Sequence, residues 1–205
     1  MNTFGGPLKS FRKRAAQRLE NEQIAQRWRD GFNAFQKGKD FYFKKRIPEA
    51  LDCFDEAIDC GYVDDADVYG MRGGCLQTLK FDLDAIDDFD KAIALEPANC
   101  VTYFQRSLSE GATGDQHGRV SDLQEAIRRA RVDNAYTRSD DAYVRELGFG
   151  SCAEYYEMQL GLAKLDLKFL EENSNLAVSS NSYYQEYFKE KANMRRRPNI
   201  KRPGE

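Results

Sequence analysis

The chain has 205 residues, of which 41% are hydrophobic, and it contains 13 Phe and 11 Tyr. This supply of apolar and aromatic side chains is enough for a core and excludes a wholly disordered chain. The 31 basic and 34 acidic residues give a net charge of −3, but the two ends are basic and the body between them is acidic. No apolar run approaches the roughly 18 residues that a membrane-spanning helix needs.

The cysteines and the single histidine argue against a metal site. The five cysteines are odd in number and form no C-x-x-C pair, and one histidine cannot complete a zinc site of the usual spacing. We therefore expect no metal and no cofactor, with reduced cysteines packed as small core residues. The first residues contain no apolar stretch like that of a secretory signal, so a cytoplasmic location is expected.

The first predicted element is a basic helix within residues 1–30, which carry 7 basic and 3 acidic residues. We expect this helix to run into, or pack on, the helix that follows it. From residue 31 the sequence repeats, and its clearest copy contains the run Ala85-x-x-x-Phe89-x-x-Ala92. The frame returns with its second alanine at Ala57 and Ala126, which lie 35 residues before and 34 residues after Ala92.

Six helices are predicted in the repeated region, near residues 31–44, 48–60, 66–79, 82–95, 99–112 and 118–131. Phe54 and Phe89 are expected to fill the space between the two helices of a pair. A small residue on the first helix of each pair allows the second to approach closely, and these residues are Gly38, Gly73 and Ser107. Each pair leaves an apolar face that only its neighbour can cover, so the pairs are expected to stack.

The pattern resembles the tetratricopeptide repeat (TPR), a helix–turn–helix unit, in three copies over residues 31–65, 66–99 and 100–133. The resemblance implies an all-α fold, a right-handed superhelix of helix pairs with flanking N- and C-terminal helices. It also implies a non-catalytic protein–protein interaction module that serves as an adaptor, assembly factor or chaperone. In size and groove character the chain is similar to bacterial secretion chaperones.

In TPR proteins the first helix of each repeat lines a concave groove. The resemblance therefore assigns partner binding to Phe32, Phe35, Lys39, Tyr42, Phe43, Asp67, Gly70, Gly74, Gln77, Val101, Phe104 and Leu108. Aromatic side chains bury large areas, so Phe35 and Phe104 are expected to be the deepest anchors. Because neither belongs to the repeat signature, the fold is expected to survive their truncation. The alternative is that the protein's own flanking helices fill the groove.

One known kind of TPR partner is disfavoured by the residues present. Co-chaperones that hold the acidic EEVD tails of heat-shock chaperones use a carboxylate clamp of Lys, Asn and Arg side chains. The corresponding positions here are Phe35, Lys39, Met71, Val101 and Gln105, and none of them matches the clamp. We therefore expect a protein or peptide partner of another kind.

Two more helices are predicted in the C-terminal extension, residues 134–194. Ser151-x-x-Glu154 is a capping box that opens a helix to about residue 171, and its two apolar rows suggest that it buries two sides. Ser182-x-x-Gln185 opens the second, whose aromatic residues are Tyr183, Tyr184, Tyr187 and Phe188. Residues 195–205 are rich in Arg and Pro and are expected to form a basic, disordered tail.

Two other functions stay open from the sequence. The wide apolar stripe of the helix after Ser151 could join two copies, which would make the chain a self-associating structural protein. The basic termini, interleaved with aromatics, could bind RNA, although the acidic body repels a polyanion and disfavours nucleic acid. We find no catalytic motif. His117 is expected in a solvated loop, and the acidic residues of 82–90 are expected to fan around a helix rather than bind a cation.

Overall fold

The computed structural model describes residues 6–132, 136–137, 140–178 and 196–197. Within these ranges all regular structure is helical. The helices are α1 (Gly6–Phe43), α2 (Ile47–Asp59), α3 (Ala66–Thr78), α4 (Asp82–Leu95), α5 (Cys100–Thr113), α6 (Gln116–Val132), α7 (Asp140–Glu146) and α8 (Cys152–Val178). None of these helices combines the length and the apolar character needed to cross a bilayer. The chain forms two compact units, Met1–Val63 and Asp64–Glu205.

The five predicted helices between residues 48 and 131 correspond to α2 to α6, and each boundary agrees to within two residues. The predicted N-terminal helix and the first repeat helix form one continuous helix, α1, of 38 residues. The sequence contains no proline between Pro7 and Pro48, so nothing in that stretch removes a helical hydrogen bond. Of the two arrangements expected for the N-terminal helix, it therefore runs into the next.

The turn inside each helix pair has the same geometry in all three pairs. A residue one or two positions after the first helix of each pair adopts a positive φ: 61° at Lys45, 67° at Lys80 and 97° at Gly114. The next residue donates its backbone N–H to the carbonyl five residues earlier, at 2.9 Å in every case. This is the hydrogen bond of a Schellman cap, which ends a helix and reverses the chain. The repeat seen in the sequence is thus also a repeat of backbone structure.

Glycine and phenylalanine set the packing of the first two pairs. A Cβ atom at Gly38 on α1 would lie 2.6 Å from the ring of Phe54 on α2, and one at Gly73 on α3 would lie 2.7 Å from the ring of Phe89 on α4. Both rings are fully buried. The predicted close approach is therefore confirmed in these pairs, because any larger residue would collide with the ring.

Helix α8 packs against α6 and runs antiparallel to it. Arg131 near the end of α6 pairs with Glu157 near the start of α8 at 2.7 Å, and Arg119 near the start of α6 pairs with Asp166 at 3.0 Å. Half of the predicted capping box is present: Ser151 Oγ accepts the backbone N–H of Glu154 at 3.3 Å, whereas the Glu154 carboxylate accepts the backbone N–H of Gly150 rather than that of Ser151. The helix continues to Val178, seven residues beyond the predicted end at 171.

Of the two apolar rows on α8, the described part of the chain covers one. Tyr156 and Ala163 are buried in the row that faces α6. The other row is open, with Leu162 48%, Leu165 64% and Phe169 66% exposed. The predicted helix with Tyr183, Tyr184, Tyr187 and Phe188 lies outside the described residues, as does the predicted tail apart from Arg196 and Arg197.

Candidate functional site

Phe35, one of the two expected anchors, lies in the core of the first unit. Its ring is 2% exposed, stacks on Tyr62 at 5.3 Å between centroids and lies 5.9 Å from the ring of Phe54. The sequence suggested an exposed groove position, but Tyr62, which follows the end of α2, covers the ring. Phe35 therefore holds α1 against α2 and is not at the surface in this structure.

The remaining predicted residues of the first unit are partly or fully exposed. Phe32 is 38% exposed and stacks on Trp28, which is 48% exposed, at 5.9 Å and an interplanar angle of 7°. Phe43 at the end of α1 is 69% exposed and meets Tyr42 edge to face. Lys39 lies over the Phe35 ring at 5.3 Å. Trp28 was not among the predicted site residues, although its spacing of four from Phe32 places both rings on one side of α1.

In the second unit, the predicted residues of α3 divide between an open position and a structural one. A Cβ at Gly70 would meet no other atom within 4 Å, so the helix is bare there. Gln77 instead links α3 to α5, because its Nε2 donates to Gln105 O and to Ser109 Oγ, both at 2.8 Å. Asp67 is exposed in the first turn and Gly74 is buried.

Phe104, the second expected anchor, lies beneath the protein's own C-terminal helix. Its ring stacks on Tyr156 of α8 at 4.3 Å and 16°, and Tyr155 meets it edge to face at 5.7 Å. Val101 packs against the same cluster. Leu108, one turn further along α5, is 38% exposed. The expected alternative, in which the chain's own helix covers the predicted groove residues, therefore applies at Phe104, whereas Leu108 stays exposed and a side chain at Gly70 would meet no neighbour.

Solved structures resemble this arrangement of helix pairs. The TPR2B domain of yeast Sti1, in its complex with pHsp70, is 23% identical with a TM-score of 0.50 and covers 63% of this chain and 97% of that one. The chain has the TPR fold. PcrH in complex with the chaperone-binding region of PopD is 16% identical (TM-score 0.55, 65% of this chain and 90% of that one). A T3SS complex from Aeromonas hydrophila is 17% identical (TM-score 0.55, 67% and 83%). Neither a protein-family model nor a curated protein matches the sequence.

An arginine–aspartate ion pair that the sequence analysis did not predict recurs in two of the TPR repeats. Arg72 on α3 binds Asp88 on α4 through two hydrogen bonds of 2.6 and 2.7 Å, and Arg106 on α5 binds Asp122 on α6 at 2.7 and 2.8 Å. Both pairs are separated by 16 residues. The spacing was visible in the sequence, but it becomes a contact only once the two helices of a repeat are placed side by side. Paired arginine and carboxylate groups of this kind fix helix register.

A buried carboxyl group lies beside the second of these pairs. Burial raises the pKa of Glu110 on α5 to about 8, and the negative charge of Asp122 adds to this effect. The Arg106 guanidinium, whose Nε is 4.0 Å from a Glu110 oxygen, acts in the opposite direction but does not outweigh burial. Glu110 is therefore largely protonated at neutral pH.

The raised pKa predicts a loss of stability as the pH rises. The folded chain holds the Glu110 proton more tightly than the unfolded chain, whose pKa is near 4.5, so stability is lost from about pH 5 to about pH 8. Glu110→Gln preserves the neutral shape and cannot ionise. We expect its Tm, measured relative to the parent protein, to increase steadily across this range. Parallel Tm curves for the two proteins would contradict the assignment.

The acidic, cysteine and histidine side chains of the described residues are dispersed. Within the described residues, no group of three or more His, Cys, Asp or Glu side chains is placed to hold a metal ion. His117, the only histidine of the chain, is exposed near the start of α6, as expected for a solvated residue, although it lies in the helix rather than in a loop.

Proposed function

We propose that the chain is a non-catalytic protein-interaction module that binds a partner segment on the face shared by α3 and α5. One observation carries the proposal. The TPR frame assigns Gly70 on α3 and Leu108 on α5 to this face; a Cβ at Gly70 would meet no other atom within 4 Å, and Leu108 is 38% exposed one turn along α5 from Phe104, whose ring packs against Tyr155. An exposed apolar group beside a rigid aromatic cluster is a suitable anchor, because little side-chain freedom is lost when a partner binds there.

The similar structures support a protein-binding role. The Sti1 domain is described in a complex with pHsp70, and PcrH with the chaperone-binding region of PopD. By analogy, this chain acts as an adaptor, assembly factor or chaperone for a protein or peptide. EEVD tails remain disfavoured partners, since Phe35 is buried where the clamp would need an exposed lysine. The five cysteines form no disulfide with one another, which fits the reducing cytoplasm.

The first unit presents a second apolar surface, which we include in the proposal. Phe32, Lys39, Tyr42 and Phe43 keep their assignment as partner-binding residues, and Trp28 joins them because its ring stacks on Phe32. Exposed aromatic rings of this size are common anchors at protein interfaces. Phe35 contributes by holding α1 in place rather than by touching the partner.

A peptide selection tests the proposal. The full-length protein is immobilised, a random peptide library displayed on phage is selected against it, and enriched peptides are measured by fluorescence anisotropy. We expect Leu108→Glu to weaken their binding about tenfold or more, since it removes an apolar anchor and adds a charge. The matched control is Leu95→Glu on α4, which replaces a leucine of similar exposure, 45%, outside the face. Enriched peptides that bind both variants equally would contradict the proposed site.

Self-association is a second candidate function, favoured by the open row of α8. The residues of this row are spaced by three and four positions, the pattern of an apolar stripe that packs against another helix; they are Leu162, Leu165 and Phe169. If this row joins two copies, light scattering should give a dimer for the parent protein and a monomer for Leu162→Asp. Leu147→Asp, at an exposed leucine outside α8, should remain a dimer. A monomeric parent protein would rule out this function.

A further inference from the structure

The C-terminal tail makes an unexpected contact with α4. The guanidinium of Arg196 donates through Nη1 to Asp84 Oδ1 at 3.0 Å and to Asp87 Oδ2 at 2.9 Å. The backbone N–H of Arg197 donates to the second oxygen of Asp84. Two neighbouring carboxylates thus hold two consecutive residues, one through its side chain and one through its main chain. The expectation that the acidic residues of α4 merely fan around the helix is wrong for this pair.

The other acidic residues of α4 are engaged within the repeats. Asp88 binds Arg72, Asp90 binds Arg106 and Asp82 is buried, which leaves Asp84 and Asp87 on the outer side of the helix. Asp87 is 55% exposed at its side chain, and Arg196 is 50% exposed. The corresponding positions are glycine and serine in α6, 34 residues later, and Glu49 and Asp52 in α2, 35 residues earlier, so the repeat packs with or without carboxylates there. The carboxylate pair is therefore not required by the TPR packing.

We propose that Asp84 and Asp87 form a docking site for an arginine-containing peptide segment of another protein, and that the chain's own Arg196 and Arg197 occupy it in the absence of that partner. The inference rests on the proposed interaction function but uses a different helix face. Ion pairs exposed to solvent are individually weak. Arg196 and Arg197 therefore occupy the site mainly because they belong to the same chain, which gives them a high effective concentration. A free segment with additional contacts can displace it.

The geometry also specifies which arginines fit. The residue after the arginine must donate its backbone N–H to Asp84, and proline has no such donor. The recognised unit is therefore Arg-X, where X is any residue except proline. In the tail, Arg195 and Arg196 meet this requirement, whereas Arg197 and Arg202 are each followed by proline. The partner is expected to carry the same unit in an extended, accessible segment.

The test measures an arginine peptide binding to the full-length protein. The probe is a fluorescent peptide of residues 193–203, measured by anisotropy at low salt. Arg195→Ala/Arg196→Ala in the protein removes the competing tail and every alternative Arg-X unit near it, and should tighten peptide binding about fivefold. Adding Asp84→Asn/Asp87→Asn to that protein should abolish the binding. The control adds Asp52→Asn/Glu56→Gln instead, which removes the same charge from exposed positions of α2 and should change nothing.

A second peptide pair tests the main-chain contact. With Arg195→Ala in the peptide only one Arg-X unit remains, and adding Arg197→Pro should weaken binding several-fold more than adding Arg197→Ala, which removes the same charge but keeps the backbone N–H. The inference is wrong if the tail variant binds no more tightly than the parent, if the control loses binding as fully as the Asp84/Asp87 variant, or if proline weakens binding no more than alanine does. A peptide selected on the α3–α5 face should bind all these protein variants equally. Its binding therefore separates failure of this inference from failure of the proposed function.

Discussion

Phe89→Ala should destabilise the second unit by about 3–5 kcal/mol, the usual cost of removing a buried aromatic ring. The Phe89 ring is fully buried, and it lies so close to Gly73 that even a Cβ there would be 2.7 Å from it. The Arg72–Asp88 ion pair, formed by the residues directly before Gly73 and Phe89, also holds the two helices at this separation and opposes collapse into the cavity. The free energy of unfolding in urea, followed by far-ultraviolet dichroism, measures the loss.

Leu95→Ala is the control for this prediction, because Leu95 lies on the same helix and is 45% exposed. Substitutions at exposed positions usually change stability by less than about 0.5 kcal/mol. Equal losses for Phe89→Ala and Leu95→Ala would show that α4 does not present the face assigned to it.

Phe35→Ala should produce a loss of similar size, about 3–5 kcal/mol, in the first unit. This expectation replaces the one drawn from the sequence, in which Phe35 binds a partner and is dispensable for folding. In the structure the ring lies between Tyr62 and Phe54, so its removal leaves a cavity lined by two aromatic side chains. Thermal melting of the full-length protein should show the early unfolding of this unit.

Phe43→Ala gives a matched comparison, since the same residue type on the same helix is 69% exposed there. We expect its melting curve to superimpose on that of the parent protein. If Phe35→Ala instead melted like the parent and lost only partner binding, the burial of the ring would be wrong.

The parts of the fold that the sequence predicted are those determined by local spacing. Gly73 and Phe89 lie 16 residues apart within one helix pair, and the repeat brings the pattern back around Gly38 and Phe54. A small residue and an aromatic ring at a constant spacing predict a close helix contact, because the ring can pack directly against the helix where the side chain is small. The same regularity gave the helix boundaries from α2 to α6.

The site was less predictable because it depends on elements outside the repeat. Tyr156, which covers Phe104, is 52 residues further along the chain, in a helix whose sequence carries no repeat signature. The two apolar rows of this helix, α8, look equivalent in sequence, and only the placement of α6 decides which row is buried. Tyr62 covers Phe35 in a similar way, from a position where the repeat pattern usually has proline. In both cases the predicted groove residue is covered by a residue whose role the repeat pattern does not predict.

The central claim, that the α3–α5 face binds a protein segment, is tested most directly by hydrogen exchange on the full-length protein with and without a selected peptide. Gly70 and Leu108 are the open positions of this face. Binding should therefore slow amide exchange in α3 around Gly70 and in α5 around Leu108. Amides of α4 between Asp84 and Leu95 should keep their exchange rates. Slower exchange in α4 with no change in α3 or α5 would contradict the account.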